Sequence, residues 1–111
     1  MLFRSAGERR AKELIFTAEP FDAQQGYDWG IVNRVCDNAL QDCLSVASRI
    51  AANAPLAVRQ AKRSVHYGLQ MDVLTGYRFE IEAYNRLVDT EDRRDGVRAF
   101  NEKRKPRFSG K

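Results

Sequence analysis

The sequence predicts a mainly α-helical fold with one short strand. Apolar residues recur every three or four positions over most of the 111 residues, which is the spacing of amphipathic helices. N-capping residues and prolines divide this pattern into separate segments. Only residues 31–35 (IVNRV) have the β-branched composition of a strand. A lone strand leaves its backbone hydrogen-bonding groups unpaired, so we expect it to pair with a segment outside this chain.

Capping residues predict the first two helices. Ser5 and Glu8 have the spacing of a capping box, which would open the first helix. Asp22 is a candidate N-cap for a short second helix over residues 23–29. Gly30 would end that helix, because glycine readily adopts the left-handed backbone found at many helix C-termini.

Three longer helices are predicted next. Asp37 or Asn38 would cap the third helix. Pro55 suits the first turn of the fourth helix, where its missing N–H is not needed, and Gly68 would end it. Asp72 would begin the fifth and longest helix. The apolar side of that helix would consist of Val73, Leu74, Tyr77, Ile81, Tyr84 and Val88.

The last predicted helix, residues 90–104, is the most highly charged. Its acidic residues come early and its basic residues late, as the helix dipole favours, and Pro106 prevents its continuation. One interpretation is a solvated surface helix that is held by Val97 and Phe100. The other is a basic, aromatic-bearing helix end that meets a phosphorylated ligand or another subunit.

Composition and charge exclude several classes of protein. The hydrophobic share of 43% and charged share of 31% are those of a globular chain. No apolar run approaches the roughly 18 residues that cross a bilayer, and we expect neither a membrane span nor a secretory signal. The net charge of +4 permits phosphate binding, but acidic residues interleaved over residues 89–102 argue against a nucleic-acid partner.

The reactive side chains are too few for a catalytic or metal centre. Cys36 and Cys43 predict two reduced, partly buried thiols in a reducing compartment, and we expect a cytoplasmic protein. The single histidine, His66, lies near a predicted helix C-terminus, which favours a structural role. Glu80 and Glu82 are two residues apart and would point to different faces of a helix. We therefore predict no catalytic residue and no metal site in this chain.

Four collinear segments resemble the C-terminal portion of the crotonase superfamily, the enoyl-CoA hydratases and isomerases. They are residues 7–17, residues 21–35 with the string WGIVNRV, residues 54–62 (APLAVRQAK) and residues 90–106 (TEDRRDGVRAFNEKRKP). The departures from the family pattern are small. Asp95 stands where the family usually has glutamate. Gln25 replaces a frequent glutamate, Gly26 replaces a common alanine, and Cys36 occupies a position that is more often aliphatic.

The resemblance implies how the chain is organised. It would be the C-terminal helical part of a crotonase-like α/β spiral fold. Residues 1–35 would be the end of the crotonase core, with helices and the short strand, and residues 36–111 would be the C-terminal helical trimerisation region. The N-terminal half of the fold, which this chain does not contain, would supply the oxyanion hole and the catalytic glutamates.

The resemblance also implies a function. The family's substrates are acyl-CoA thioesters, and its commonest reaction is hydration of trans-2-enoyl-CoA. The resemblance implies no metal or redox cofactor, because coenzyme A is part of the substrate. Its members are homotrimers or hexamers. Phe100 and Lys103 match the positions that meet the adenine and phosphate end of CoA bound by a neighbouring subunit. The fragment by itself would be inactive. The alternative is a non-catalytic helical oligomerisation module.

Overall fold

A computed structural model describes residues 2–111 as six helices, with no strand among those residues. The helices are α1 (Leu2–Thr17), α2 (Ala23–Asp28), α3 (Ala39–Ala51), α4 (Pro55–Gly68), α5 (Val73–Asn85) and α6 (Glu91–Asn101). The chain divides into a first compact unit that ends at Cys43 and a second that begins at Leu44. The mainly helical fold predicted from the sequence is confirmed.

Helix α1 is interrupted at Gly7. This glycine has φ 77° and ψ 162°, which no helical residue adopts and which glycine reaches without steric cost. Ser5 lies inside α1 and before the interruption. The predicted capping box of Ser5 and Glu8 is therefore wrong, because the helix begins upstream of Ser5.

Helix α2 begins after the N-cap that the sequence predicts, Asp22, and the structure adds a capping box with Gln25. The Gln25 backbone N–H donates to Asp22 Oδ1 at 2.8 Å, and the Asp22 N–H donates to Gln25 Oε1 at 2.9 Å. Gly30, at φ 71°, follows the C-cap and donates from its N–H to the Tyr27 carbonyl oxygen at 2.9 Å. Both ends of α2 thus agree with the sequence, although the helix stops one residue earlier than predicted, at Asp28.

The predicted strand at residues 31–35 is not formed. Residues 31–33 bend and residues 34–35 are irregular. The Ile31 N–H donates to the Gly26 carbonyl oxygen at 2.8 Å, which completes the turn at the end of α2 instead of a sheet ladder. A strand exists only with a partner, and residues 2–111 offer these residues none.

The third and fourth helices begin where capping predicts. Asn38 is the N-cap of α3, because its Oδ1 accepts from the Gln41 N–H at 3.0 Å. Pro55 occupies the first turn of α4, and Gly68 is the last residue of that helix, as predicted.

Helices α4 and α5 pack against each other. A Cβ atom added at Gly76 would lie 3.7 Å from Gly68 Cα, so the two backbones approach closely where α4 ends and α5 begins. Asp72 caps α5 through its Oδ1, which accepts from the Thr75 N–H at 3.0 Å. The prediction that α5 is the longest helix and reaches Val88 is wrong, because α5 has 13 residues and gives way to turns after Asn85.

The described residues bury very little apolar surface. Their buried hydrophobic residues are three alanines, Ala11, Ala83 and Ala99. Large apolar side chains are instead exposed, and Val73 reaches 91%. The two cysteines are also exposed, which corrects the expectation of partly buried thiols. Among residues 2–111, no helix is long and apolar enough to cross a membrane.

Candidate functional site

Helix α6 and the turn that follows it carry the two residues of the candidate site, Phe100 and Lys103. Thr90 is the N-cap of α6: the Thr90 Oγ1 accepts from the Arg93 N–H at 3.2 Å and donates to the Leu87 carbonyl oxygen at 2.7 Å. Glu91 and Asp92 fill the first turn, where negative charge is favoured by the helix dipole. The acidic start of the helix is therefore as predicted.

The helix ends at Asn101, three residues earlier than predicted. Lys103 adopts φ 55°, which is unusual for a residue with a Cβ atom. The Lys103 N–H donates to the Phe100 carbonyl oxygen at 3.3 Å, and the Arg104 N–H donates to the Ala99 carbonyl oxygen at 3.0 Å. This is a left-handed helix cap, of the kind that glycine usually forms. Phe100 and Lys103 thus do not share one helix face, since Lys103 lies beyond the helix.

The turn nevertheless brings the two side chains together. Lys103 Nζ lies 4.9 Å from the centroid of the Phe100 ring, within cation–π distance. Phe100 is 75% exposed, so it is not a core anchor within this chain, and Lys103 is exposed as well. An ammonium beside an accessible aromatic face can bind an anionic group and a planar ring at the same time.

Asp95 fastens the chain that follows this turn. Its carboxylate accepts from Arg104 Nη2 at 2.6 Å and Nη1 at 3.3 Å, and from the Arg107 backbone N–H at 2.7 Å. The hydrogen bonds from Arg104 and from the Arg107 N–H lower the pKa of Asp95 to about 2. The hydrogen bond to Asp95 in turn raises the pKa of Arg104 above its ordinary value. Asp95 is therefore a carboxylate at all physiological pH values.

Asp92 holds the end of the same segment. It is 2% exposed, and its two carboxylate oxygens accept from the Ser109 N–H at 2.6 Å and the Gly110 N–H at 2.9 Å. The Asp92 N–H in turn donates to the Lys111 carbonyl oxygen at 3.2 Å. We call residues 104–111 the C-terminal strap, because they are held on α6 at Asp92 and Asp95.

Sequence reasoning did not find the strap. It assigned the acidic residues of α6 to the helix dipole alone. The available signal is the three-residue spacing of Asp92 and Asp95, which places both carboxylates on one side of the helix. Spacing does not show, however, which residues the two carboxylates accept from.

An apolar groove of about 420 Å³ lies beside α6 in the second unit. Apolar residues of three helices and of the strap supply most of its lining, among them Leu56, Ala57, Tyr84, Leu87, Val97 and Phe108. Phe108 comes from the strap, and a Cβ atom added at Gly96 would lie 3.7 Å from its ring. The strap thus forms one wall of this groove.

The remaining candidate residues do not form a reactive centre in the part of the chain that the structure describes. The His66 ring contacts the Tyr67 ring edge-on at a centroid distance of 5.1 Å. Over residues 2–111, no group of three or more histidine, cysteine, aspartate or glutamate residues has the arrangement of a metal site.

Comparison with known proteins identifies the class to which this helical chain belongs. The chain belongs to the enoyl-CoA hydratase/isomerase family, whose sequence profile matches residues 1–111. The four collinear segments of the sequence analysis therefore led to the right family, the crotonases.

Individual relatives agree with this membership. The chain is 39% identical over 110 residues to a putative enoyl-CoA hydratase/isomerase of Bacillus subtilis, covering 96% of this chain and 42% of that protein. It is 39% identical over 106 residues to the short-chain-enoyl-CoA hydratase of Clostridium acetobutylicum, covering 94% and 41%. The crystal structure of an enoyl-CoA hydratase from Bacillus anthracis superposes with a TM-score of 0.94 at 40% identity, covering 99% of this chain and 43% of that one. The chain thus spans about two-fifths of the length of these relatives.

Proposed function

We propose that this chain is the C-terminal helical part of an enoyl-CoA hydratase/isomerase that hydrates trans-2-enoyl-CoA thioesters. The observation that carries the proposal is the exposed pair of Phe100 and Lys103 at the end of α6, with 4.9 Å between the ammonium and the ring centroid. Family membership supplies the substrate class, because the relatives are named for enoyl-CoA.

In this proposal the chain binds substrate and assembles the enzyme, and another part of the fold carries out the reaction. Hydration of an enoyl thioester needs two backbone N–H groups to stabilise the developing oxyanion and glutamates to move protons. We assign those groups to an N-terminal portion of the kind that makes up the rest of the relatives. No residue of this chain is assigned a catalytic role, so the chain alone is expected to be inactive.

Phe100 and Lys103 are proposed to meet the adenine and phosphate end of CoA that is bound by a neighbouring subunit. The ring offers a stacking surface for adenine, and the ammonium offers a charge-assisted hydrogen bond to a phosphate. Both side chains are accessible, as such a contact requires.

The exposed apolar side chains support the proposal that residues 36–111 form a trimerisation region, giving a homotrimer or hexamer. Leu69, Val73 and Leu74 are 71%, 91% and 58% exposed at the junction of α4 and α5. Residues 1–35 are proposed to complete the core of the fold, and the cytoplasmic location expected from the sequence stays a prediction.

The proposal is tested by restoring a complete fold around the chain. We would join this chain to the N-terminal portion of the Bacillus anthracis relative that it does not cover, and measure hydration of crotonyl-CoA. The joined protein is expected to turn over the substrate, and the 111-residue chain is not. Turnover by the chain alone would show that our assignment of the catalytic groups is wrong.

The CoA contact is tested with two substrates in the joined enzyme. Lys103→Ala and Phe100→Ala are each expected to raise KM for crotonyl-CoA about tenfold, which corresponds to the loss of about 1.4 kcal/mol of binding. KM for the pantetheine thioester of crotonate is expected to stay unchanged, because that substrate lacks the adenine and its phosphates. Lys105→Ala is the matched control, since it removes an exposed positive charge two residues away. An unchanged KM for crotonyl-CoA in both variants would refute the contact.

The alternative is a non-catalytic oligomerisation module, which the same exposed apolar residues would favour. It predicts a well-folded, inactive oligomer of the chain and no activity in the joined protein. Sedimentation together with the crotonyl-CoA assay separates the two functions.

A further inference from the structure

Lys103 lies on a turn that its own residue type disfavours. A positive φ places the Cβ atom of any L-residue close to the backbone, and Lys103 has φ 55°. Such a conformation persists only where the surrounding structure holds it. The groups that hold it therefore also decide where the Lys103 side chain lies.

Two backbone hydrogen bonds close the turn at the end of α6, and the side-chain contacts that hold the residues after it converge on Asp95. Arg104, the next residue, donates to Asp95 from both Nη atoms and to Glu102 Oε2 from Nε at 2.6 Å. The Arg107 N–H donates to Asp95 as well, at 2.7 Å. The Asp95 carboxylate, which lies on the same helix as Phe100, thus holds the chain after Lys103 at two residues, Arg104 and Arg107.

We propose that Asp95 is a positioning residue for CoA binding. By holding Arg104 and the Arg107 N–H, it fixes the turn at Lys103 and keeps the ammonium over the Phe100 ring. A preorganised ammonium binds a phosphate more tightly than a mobile one, because less side-chain freedom is lost on binding. This inference rests on the proposed function of Phe100 and Lys103.

A purely electrostatic role and a positioning role of Asp95 predict opposite changes in KM for crotonyl-CoA when its charge is removed. Asp95→Asn takes away a negative charge near the proposed phosphate site, which by charge alone would strengthen phosphate binding. Positioning predicts weaker binding, because Arg104 loses its charged partner and the turn at Lys103 relaxes. The direction of the change in KM therefore distinguishes the two effects.

The first measurement needs no substrate. In NMR spectra of the 111-residue chain, the Lys103 side-chain protons are expected at high field, because they lie over the Phe100 ring. Asp95→Asn and Arg104→Lys are expected to abolish that shift, whereas Asp95→Glu keeps the charge and is expected to retain it. Glu91→Gln is the matched control, since Glu91 is an exposed carboxylate on the same helix. If the Lys103 protons keep their full high-field shift in both Asp95→Asn and Arg104→Lys, the inference is wrong.

The second measurement uses the joined enzyme. Asp95→Asn is expected to raise KM for crotonyl-CoA about fivefold, with kcat and the KM for the pantetheine thioester unchanged, and to add nothing in the Lys103→Ala background. If Lys103→Ala raises KM but Asp95→Asn does not, the inference is wrong and the proposed function stands. If neither Lys103→Ala nor Phe100→Ala changes KM, the proposed CoA contact fails, and the NMR measurement still decides whether Asp95 orients Lys103.

Discussion

At the scale of single residues, Lys103 combines two requirements that favour different amino acids. Its backbone, at φ 55°, forms the left-handed cap of α6, a position at which glycine is the usual residue. Its side chain places an ammonium 4.9 Å from the Phe100 centroid, which glycine cannot do. A lysine at this position therefore has a strained backbone, and it supplies a charged group that glycine lacks.

Replacing the lysine by residues without the ammonium should reveal that strain. Lys103→Gly is expected to have a free energy of unfolding about 1 kcal/mol higher than Lys103→Ala, because only glycine adopts the left-handed region without a steric penalty. Urea unfolding of the 111-residue chain, followed by circular dichroism, measures the difference. Lys105 is the control position, because its backbone does not have a positive φ. There, Lys105→Gly is expected to be no more stable than Lys105→Ala. Equal stability of Lys103→Gly and Lys103→Ala would contradict the argument.

At the scale of elements, α6 is a short helix with both ends fastened by hydrogen bonds. Thr90 caps the first turn, and the Arg104 N–H closes the last turn on the Ala99 carbonyl oxygen. Between these ends, Asp92 and Asp95 accept backbone N–H groups of the C-terminal strap. The strap is thereby attached to the helix whose end presents the candidate site.

Weakening the cap of α6 should destabilise the helix by a defined amount. Thr90→Ala removes the oxygen that accepts from the Arg93 N–H and is expected to lower the free energy of unfolding by about 1 kcal/mol. Thr90→Ser keeps the hydroxyl and is expected to remain within a few tenths of a kcal/mol of the parent chain. Urea unfolding of the three proteins tests this. A serine variant as unstable as the alanine variant would show that the cap is not the cause.

At the scale of the whole molecule, most large apolar side chains whose exposure the structure describes are accessible to solvent. The buried hydrophobic residues among those described are alanines, whereas Leu69 and Val73 are 71% and 91% exposed. Apolar surface of this kind normally marks an interface. This distribution is the physical reason to expect that the helices pack against further protein.

The uncovered apolar surface leads to a prediction about association. We expect the 111-residue chain to self-associate, and the double variant Leu69→Gln, Val73→Ser to do so less, because two exposed apolar side chains become polar. The stability of the chain should change by less than about 0.5 kcal/mol per substitution, since neither side chain is buried. Sedimentation velocity measures the association, with Arg59→Ser as the control at an exposed position of α4. An unchanged distribution of species in the double variant would contradict the prediction.

Sequence reasoning succeeded where structure depends on neighbouring residues in the chain. Asp22, Pro55 and Asp72 mark helix starts because capping and proline geometry act within one turn. It failed at Ser5, where a positive φ at Gly7 interrupts a helix that has already begun. It also failed at residues 31–35, whose strand composition cannot form a strand without a partner.

The amino-acid sequence by itself determined the helical class and most helix starts. Its resemblance to the crotonases led to the family and proposed Phe100 and Lys103 as the candidate site. Local capping, periodicity and motif spacing are properties of adjacent residues, and they can be read without coordinates. Only the tertiary structure decided that Lys103 lies beyond the helix and over the Phe100 ring, and that Asp95 holds Arg104 and the Arg107 N–H. Those contacts depend on the chain reversing its direction after Asn101, and the charge pattern of α6 is compatible with many positions of the residues that follow.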